Sequence, residues 1–519
     1  MTTATQFQFA YDRHADQDRA GPVAHPVVIV GAGPVGLTLA IDLARRGQAV
    51  VLLDDSDRIG EGSRAICFSK RTLEVWDRLG VAAPMLAKGV QWNVGKVFLG
   101  DAQVYRFDLL PEGGHKMPAF INLQQYYAEL FLVQRALGMP EIDLRWRNRV
   151  TGVDDRGDHV LVGIATPDGA YAIAARYVVA CDGARSTVRT MLGAAFVGET
   201  FEDQFLIADV KMRAAFPTER WFWFDPPFHS GQSALLHKQP DDVWRIDLQL
   251  GRDADPEAER QPERVRPRIA RMLGHDDFTF EWISVYRFQC RRMERFVHGR
   301  VIFAGDAAHQ VSPFGARGAN SGVEDAENLA WKLFAVLHGG SLALLDSYDI
   351  ERVQAADDNI GHSTRTTDFI APHNDYERRL RNVTLRLART HEFAKRMVNA
   401  GRLARPTAYA SPLSTPDADA WAAGPPPGTH IIDAPLGSGF LTDALASTGF
   451  AMLHWGAAVP GDVAAIDMGA PGETAGRRYD ATPGAAYLLR PDGYVAARFR
   501  CADAAGLAAS LRRAQGEGA

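Results

Sequence analysis

The first clear signal along the chain is Val27-Val-Ile-Val30, a short apolar, mostly β-branched run that predicts a strand buried in a parallel sheet. Apolar positions then recur with helical spacing from Leu37 to Arg46, and Gly47 stands at the C-cap. Ala49–Leu53 reads as the next strand, which completes a βαβ unit. From about residue 190 to 290 the period changes. Gln204–Arg213, Arg220–Phe224, Ser233–Lys238, Val243–Leu250 and Phe280–Phe288 predict successive strands of a mixed or antiparallel sheet. After Val301-Ile-Phe-Ala304 helical periodicity returns and continues to about residue 403. Pro406, Pro412, Pro416 and Gly424-Pro-Pro-Pro-Gly428 mark a linker. The tail predicts strands at Phe450–Trp455 and Val463–Met468, then a hairpin of Ala486–Arg490 and Tyr494–Phe499 turning at Pro491-Asp-Gly493. A helix over 503–514 closes the chain, and no internal repeat is present.

Composition narrows the class. Of 519 residues, 46% are hydrophobic and 23% charged, which excludes a disordered, collagenous or coiled-coil chain. Lys plus Arg is 57 against 63 Asp plus Glu, a net charge of −6 without a basic tract, so neither nucleic acid nor a membrane is an expected partner. Cys67, Cys181, Cys290 and Cys501 lie far apart, so no disulfide framework or metal site is expected, and a reducing, cytoplasmic location fits. The N-terminus lacks a basic-then-apolar leader pattern. The least polar long stretch, Val27 to Ile41, is broken by glycines and is too short to span a bilayer.

Three motifs carry chemistry. Gly31-Ala-Gly33-Pro-Val-Gly36 follows a strand and opens a helix: Gly31 allows the tight turn, Gly33 lets a pyrophosphate approach, and Gly36 lets helix and strand pack closely. Asp54 ends the second strand, 18 residues beyond Gly36, placed to accept from a ribose. This motif serves NAD and FAD alike. Two later segments favour a flavin. Asp182-Gly183 follows the strand Tyr177–Ala180. Gly305-Asp306 ends the strand at Val301 and runs into Pro313-Phe-Gly-Ala-Arg-Gly318-Ala-Asn320, which opens a helix. A helix N-terminus stabilises the negative charge of a reduced flavin around N1 and C2=O.

At these separations the trio of motifs resembles the class A flavoprotein monooxygenases, single-component FAD-dependent aromatic hydroxylases, and among them the branch of phenol hydroxylase and 3-(3-hydroxyphenyl)propionate hydroxylase. The resemblance covers about residues 26–400. It implies an α/β fold with a Rossmann-like FAD-binding domain interleaved with a sheet-based substrate domain, plus a small thioredoxin-like C-terminal domain. The corresponding division is an N-terminal arm (1–25), the first part of the FAD-binding domain (26–190), the middle sheet of the substrate domain (191–290), the FAD-binding return with a helical region (291–403), a linker (404–428) and the thioredoxin-like domain (429–519). With Cys501 alone in it, the tail lacks a redox pair and is expected to be structural.

The resemblance implies that Gly31, Gly33 and Gly36 hold the FAD pyrophosphate and Asp54 the adenosine ribose. Arg64, in Ser63-Arg-Ala65, would contact the ribityl–phosphate region, and Gln125 would face the cofactor, with Gln124 as the alternative register. Asp182 is associated with FAD and the reductant, and Asp306 with the ribityl chain and phosphate. Pro313 would lie beside the flavin, and Gly318, Ala319 and Asn320 at its pyrimidine edge. Two departures stand out: Ala316 and Arg317 replace the usual Gly and Gln, and Asp55 stands where a basic residue is common.

The implied reaction is NADH- or NADPH-dependent hydroxylation by O2 of a small phenolic substrate through a flavin C4a-hydroperoxide. It needs no protein nucleophile. A homodimer is the implied assembly. Substrate-pocket candidates are Trp223, Phe224, His237, Arg245 and Phe314, with His237 as a candidate base. The plainer reading of His237 is a strand residue with a satisfied hydrogen bond. Arg245, Asp247 and Gln249 share one strand face, either in the pocket, where Arg245 favours an anionic substrate, or towards solvent. Arg287, Arg291, Arg292 and Arg295 read as a solvated or ion-paired set, and Trp331 as core. Three other functions stay open: a large polyketide-like aromatic as substrate, a flavin-dependent halogenase suggested by Trp221-Phe-Trp223-Phe-Asp-Pro226, and a non-catalytic flavin-binding protein.

Overall fold

The computed structural model describes residues 7–517 apart from 61, 63, 215, 399–403, 446–447 and 457–462. The first six residues of the arm, Ser63 and the end of the expected helical region therefore lie outside the described residues. Val23–Val30 is a strand whose last four residues are buried, as an apolar run in a two-sided sheet requires. It pairs in parallel with Val50–Leu53 on one side and with Gly169–Ala180 on the other. Ile142–Arg145 and Val301–Phe303 extend this sheet, also in parallel. The N-terminal half of Gly169–Ala180 carries an antiparallel flap made of Val160–Thr166 and Arg149–Asp155.

Register decides what this sheet can do. Val30 lies beside Leu53 and Ala180, and Ala180 lies beside Phe303. The three signature segments, far apart in sequence, therefore leave the sheet at one edge, outside the carboxyl ends of its strands, where open α/β sheets bind ligands.

The second sheet runs in the order His309–Gln310, Thr279–Met293, Phe196–Lys211, Val243–Leu250, Ser233–Lys238, Arg220–Phe224, Val94–Leu99 and Ala102–Asp108. All neighbours are antiparallel except Arg220–Phe224 with Val94–Leu99. The hairpin 94–108 lies within the span expected to belong to the first half, yet it pairs here. Gly95 and Lys96 interrupt its alternation, and its partner strand follows only at Arg220. The strands at 196 and 279 are also longer than expected.

Period two sorts the faces of this sheet. Leu206, Ala208, Trp223, Leu236, Trp244, Ile246 and Leu248 pack against Val265 and Ile269 of the helix Pro262–Leu273. Alternate residues, among them Phe205, Phe222 and Phe224, look to the opposite face. Trp223 therefore does not face the expected substrate pocket; it stacks on Phe98 under the covering helix. The halogenase-like aromatic run is explained in the same way, since Trp221 and Trp223 fill this core.

The tail forms a four-stranded sheet in the order Ala464–Asp467, Ala451–His454, Ala486–Leu489, Val495–Phe499, with the first pair parallel and the others antiparallel. The proline-rich stretch before it is no loose tether. Leu413 and Tyr409 are buried, and Gln354 of the long helix Ala343–Ile370 bonds the backbone at Ala408 and Ala410. The hairpin turn at Asp492 plugs into the helix Gly318–Leu337 and the long helix. Arg490 grips Glu351 with both terminal nitrogens at 2.6 and 2.9 Å, and its Nε donates to Asp492 at 3.0 Å. Lys332 also donates to Glu351, and the Trp331 indole donates to Asp492. Burial would raise the Glu351 carboxyl, but Arg490 and Lys332 hold it far below its ordinary range. No helix among the described residues is long and apolar enough to cross a membrane.

Removing the guanidinium at this junction would leave Glu351 and Asp492 buried with too little positive charge. Arg490→Met is expected to lower the unfolding free energy by roughly 3–5 kcal/mol. A denaturant midpoint unchanged from the parent would contradict the role of this junction.

Candidate functional site

The glycine turn is built by close approach. Gly31 has φ +105°, and a Cβ there would collide with the Cys181 carbonyl oxygen; a Cβ at Gly36 would collide with the Gly31 carbonyl oxygen. A Cβ at Gly33 would meet nothing within 4 Å. The turn is thus tight beneath and open at its mouth, against the N-terminus of the helix Pro34–Arg45, which is the shape a pyrophosphate needs. Asp54 is fixed beside it: Oδ2 accepts from the Ala32 N–H at 2.7 Å and Oδ1 from the Ser56 N–H at 2.8 Å. Each oxygen keeps a further lone pair for a ribose hydroxyl. Burial pushes this carboxyl up to about 6, against the pull of the two N–H groups.

The loop bearing Arg64 is pinned from below. The Gln125 Oε1 accepts from the Ala65 N–H at 3.0 Å, and its Nε2 donates to Glu129, which accepts from the Gly60 N–H at 2.6 Å. Gln125 faces this loop, whereas Gln124 is buried and donates to the Pro240 carbonyl. Arg64 is exposed, and its charge acts on both Glu129 and Asp306.

At the next strand end, Asp182 Oδ2 accepts from the Val188 N–H at 3.0 Å, while its buried Oδ1 has no partner in the protein. That orphaned acceptor is what a ligand hydroxyl would satisfy. Asp306 stands on the short turn Gly305–Ala307, its side chain open to the cleft yet close enough to surrounding protein that desolvation raises its carboxyl. The turn is held by a buried carboxylate. Asp325 Oδ2 accepts from the Gly305 N–H at 2.8 Å and lies 2.7 Å from His309 Nε2, and Arg352 Nε donates to Oδ1 at 2.5 Å.

Past Pro313 the chain turns through Gly315 and Ala316, the latter at φ +52°, a left-handed conformation that a glycine adopts more readily. The Arg317 side chain turns back to donate to Asn359 at 2.9 Å. Gly318 and Ala319 open the helix Gly318–Leu337, whose first N–H groups have no acceptor within the helix. The Asn320 side chain is committed to the fold: its Oδ1 accepts from the Ser69 N–H and Thr72, and its Nδ2 donates to the Cys67 and Ala316 carbonyls. Only its backbone is left for a ring edge.

Beside this loop a cavity of about 620 Å³, partly open to solvent, is walled by Phe107, Phe222, Phe224, Phe314 and Phe369 and includes Arg220. Of the expected substrate residues, Phe224 and Phe314 line it. His237 and Arg245 lie on the same sheet face but do not line it. That face is buried, so the solvent-facing alternative falls: Arg245 donates to Asp247 and to the Arg64 carbonyl, both at 3.0 Å. Burial, then Arg220 and Arg245, hold the His237 proton affinity far below its ordinary value, so it is a poor base for a phenol. Its Nδ1 has no partner, which also removes the plainer reading of a satisfied strand histidine. Arg292 and Arg295 pair with Asp357 and Asp349, as a surface set would. Arg220 and Phe222 were missed, although the two-residue spacing back from Phe224 points to both. Among the described residues, no group of His, Cys, Asp or Glu could hold a metal ion.

Two outcomes test this site. If FAD binds with an ionised Asp54, affinity falls as pH drops through about 6, so the dissociation constant at pH 5 is expected to be about tenfold that at pH 7. Asp54→Asn should weaken binding and flatten that dependence, read by quenching of flavin fluorescence. A Cβ at Gly318 would meet only Val311, at 3.6 Å, so Gly318→Val should fold normally and lose FAD on gel filtration. Normal flavin content in that variant would remove the helix N-terminus from the site.

Comparison with known proteins agrees with the geometry. A family model described as an FAD binding domain matches residues 24–363. A flavin-dependent monooxygenase of Mycobacteroides abscessus is 33% identical over 498 residues, 90% of this chain and 96% of that one. A probable NADH-specific resorcinol 4-hydroxylase of Rhodococcus jostii is 35% identical over 341 residues, 64% of this chain and 63% of its own. Among solved structures, the flavin-dependent monooxygenase PieE in complex with FAD and substrate shares the fold, with a TM-score of 0.81 at 22% identity over 96% of this chain and 100% of that one. By sequence and by fold, the chain belongs to the FAD-binding-domain family of flavin-dependent monooxygenases.

Proposed function

We propose that the protein hydroxylates a phenolic aromatic ring, with NADH or NADPH as reductant and O2 as the source of the oxygen atom. The observation that carries this reading is the phenylalanine-walled cavity that shares Phe314 and Gly315 with the loop opening the helix at Gly318. FAD held by these residues would supply the redox chemistry that couples nicotinamide oxidation to oxygen activation. The chain's own groups bind, orient and shield. Gly31, Gly33 and Gly36 shape the pyrophosphate cradle, Asp54 takes the ribose, and Arg64, Asp182 and Asp306 line the path towards the cavity. Pro313 sets the loop, and the N–H groups of Gly318, Ala319 and Asn320 stabilise negative charge at the pyrimidine edge. Phe222, Phe224 and Phe314 exclude water and hold the substrate ring.

The tail is read as thioredoxin-like and structural. Its mixed four-stranded sheet supports the first part, and an exposed Cys501 remote from the three buried cysteines supports the second.

The test is oxidation of NADH and NADPH by the FAD-loaded protein across phenols, hydroxybenzoates, hydroxyphenylpropionates and larger polyphenols, with oxygen uptake and peroxide release followed together. One compound is expected to speed oxidation several-fold, release little peroxide and gain one oxygen atom by mass. Peroxide-only turnover with every compound would count against the reading, and turnover that requires halide would replace it with halogenation.

A further inference from the structure

Arg220 begins the strand Arg220–Phe224, so by period two it shares the cavity-facing side with Phe222 and Phe224. Among the described residues, no hydrogen bond or ion pair involves its guanidinium. The carboxylates within reach are engaged elsewhere. Asp247 accepts from Arg245, and Glu219 accepts from Lys96 and from the Trp221 indole. Cys67 nearby offers no anion, because burial pushes its thiol up to about 11. The two other cations that line this cavity have partners: Arg317 donates to Asn359, and Lys96 pairs with Glu219.

A desolvated cation without a counter-charge is costly, by several kcal/mol. Burial lowers the Arg220 proton affinity; Asp247, already bonded to Arg245, opposes this from a distance and Arg245 adds to it, yet a guanidinium stays charged at neutral pH. The wall of an apolar cavity thus presents a fixed positive charge and a fork of donors. A carboxylate matches that fork with two parallel hydrogen bonds, which a single phenol oxygen cannot do.

We propose that Arg220 selects the substrate by binding a carboxylate carried on the aromatic ring system, so that the enzyme acts on hydroxylated aromatic acids. The ring then lies among Phe222, Phe224 and Phe314, beside the turn at Gly315. This inference rests on the hydroxylase reading and narrows it.

The FAD-loaded enzyme is titrated with 3-hydroxybenzoate and 3-(3-hydroxyphenyl)propionate, with their methyl esters, and with resorcinol, by the change in flavin absorbance and by NAD(P)H oxidation. At least one acid is expected to bind about 30-fold more tightly than its own ester. In Arg220→Met that ratio should collapse towards one, and Arg220→Lys should restore part of it, with FAD content retained in both. Equal binding and turnover of acid and ester by the parent enzyme, or an acid preference that survives in Arg220→Met, would overturn the proposal while leaving the hydroxylase reading in place. If no aromatic of any kind binds or is turned over, both readings fall together.

Discussion

The carboxylate of Asp325 is the interaction on which the rest of the architecture turns. It is fully buried, and burial would favour its neutral form, but Arg352 and His309 hold it ionised. One oxygen fixes the Gly305 N–H and His309, and so the turn that presents Asp306. The other takes Arg352, which also donates to Ser321 at the start of the central helix and to Tyr409 in the proline-rich segment. Tyr409 stacks on Tyr494 of the tail, with ring centroids 4.5 Å apart. A single charge therefore ties the dinucleotide edge, the helix that opens at Gly318 and the C-terminal unit into one frame. Removing any one partner would leave the others buried and uncompensated.

The site itself follows from strand register in one sheet and side-chain alternation in the other. In the first sheet, parallel register brings four strand ends to a common edge, and the residues just past those ends, Gly31, Asp54, Asp182 and Asp306, gather there. In the second, the two-residue period sends tryptophans to one side and phenylalanines to the other. Pro262–Leu273 covers the first side, and the cavity forms on the second. The loop from Pro313 and the helix it opens are where the two meet, since Phe314 packs on Phe205 and Phe288 of the second sheet while a Cβ at Gly322 would collide with Val35 of the helix Pro34–Arg45, which follows the first strand of the first sheet.

How much of this was legible in the sequence depends on the range of the physics. Gly31, Gly36, Asp54, Gly305 and Gly318 could be picked out because the turn and helix start that need them are local. Many strands of both sheets were legible from period alone, as was the hairpin at Asp492, but the strands at 94–108 and 142–166 were not. The choice between Trp223 and Phe224 was not, because it depends on which face Pro262–Leu273 covers, and that helix follows the strand by some distance in the chain. Nor were Asp325, Glu351 and the work of the Asn320 side chain. They read as polar positions on helices, and their meaning lies in partners such as Arg490, 139 residues from Glu351, or Ser69, 251 residues from Asn320. Gln125 was identified by resemblance, but its work of pinning the Arg64 loop appears only when Ala65 and Glu129 are in place.

The plug formed by Arg490 and Asp492 also bears on the order in which the molecule can be made. Arg71, Lys332 and Glu351 all precede the hairpin in the chain, and Arg490 and Asp492, which join them, are among the last residues to be synthesised. Until the C-terminal hairpin emerges, Lys332 and Glu351 have each other and Arg71 has Glu327, but the second cation on Glu351 is missing. A protein cut short before residue 490 would lack both the guanidinium that grips Glu351 and the carboxylate that accepts from the Trp331 indole, so the two helices would lose their tie to the tail.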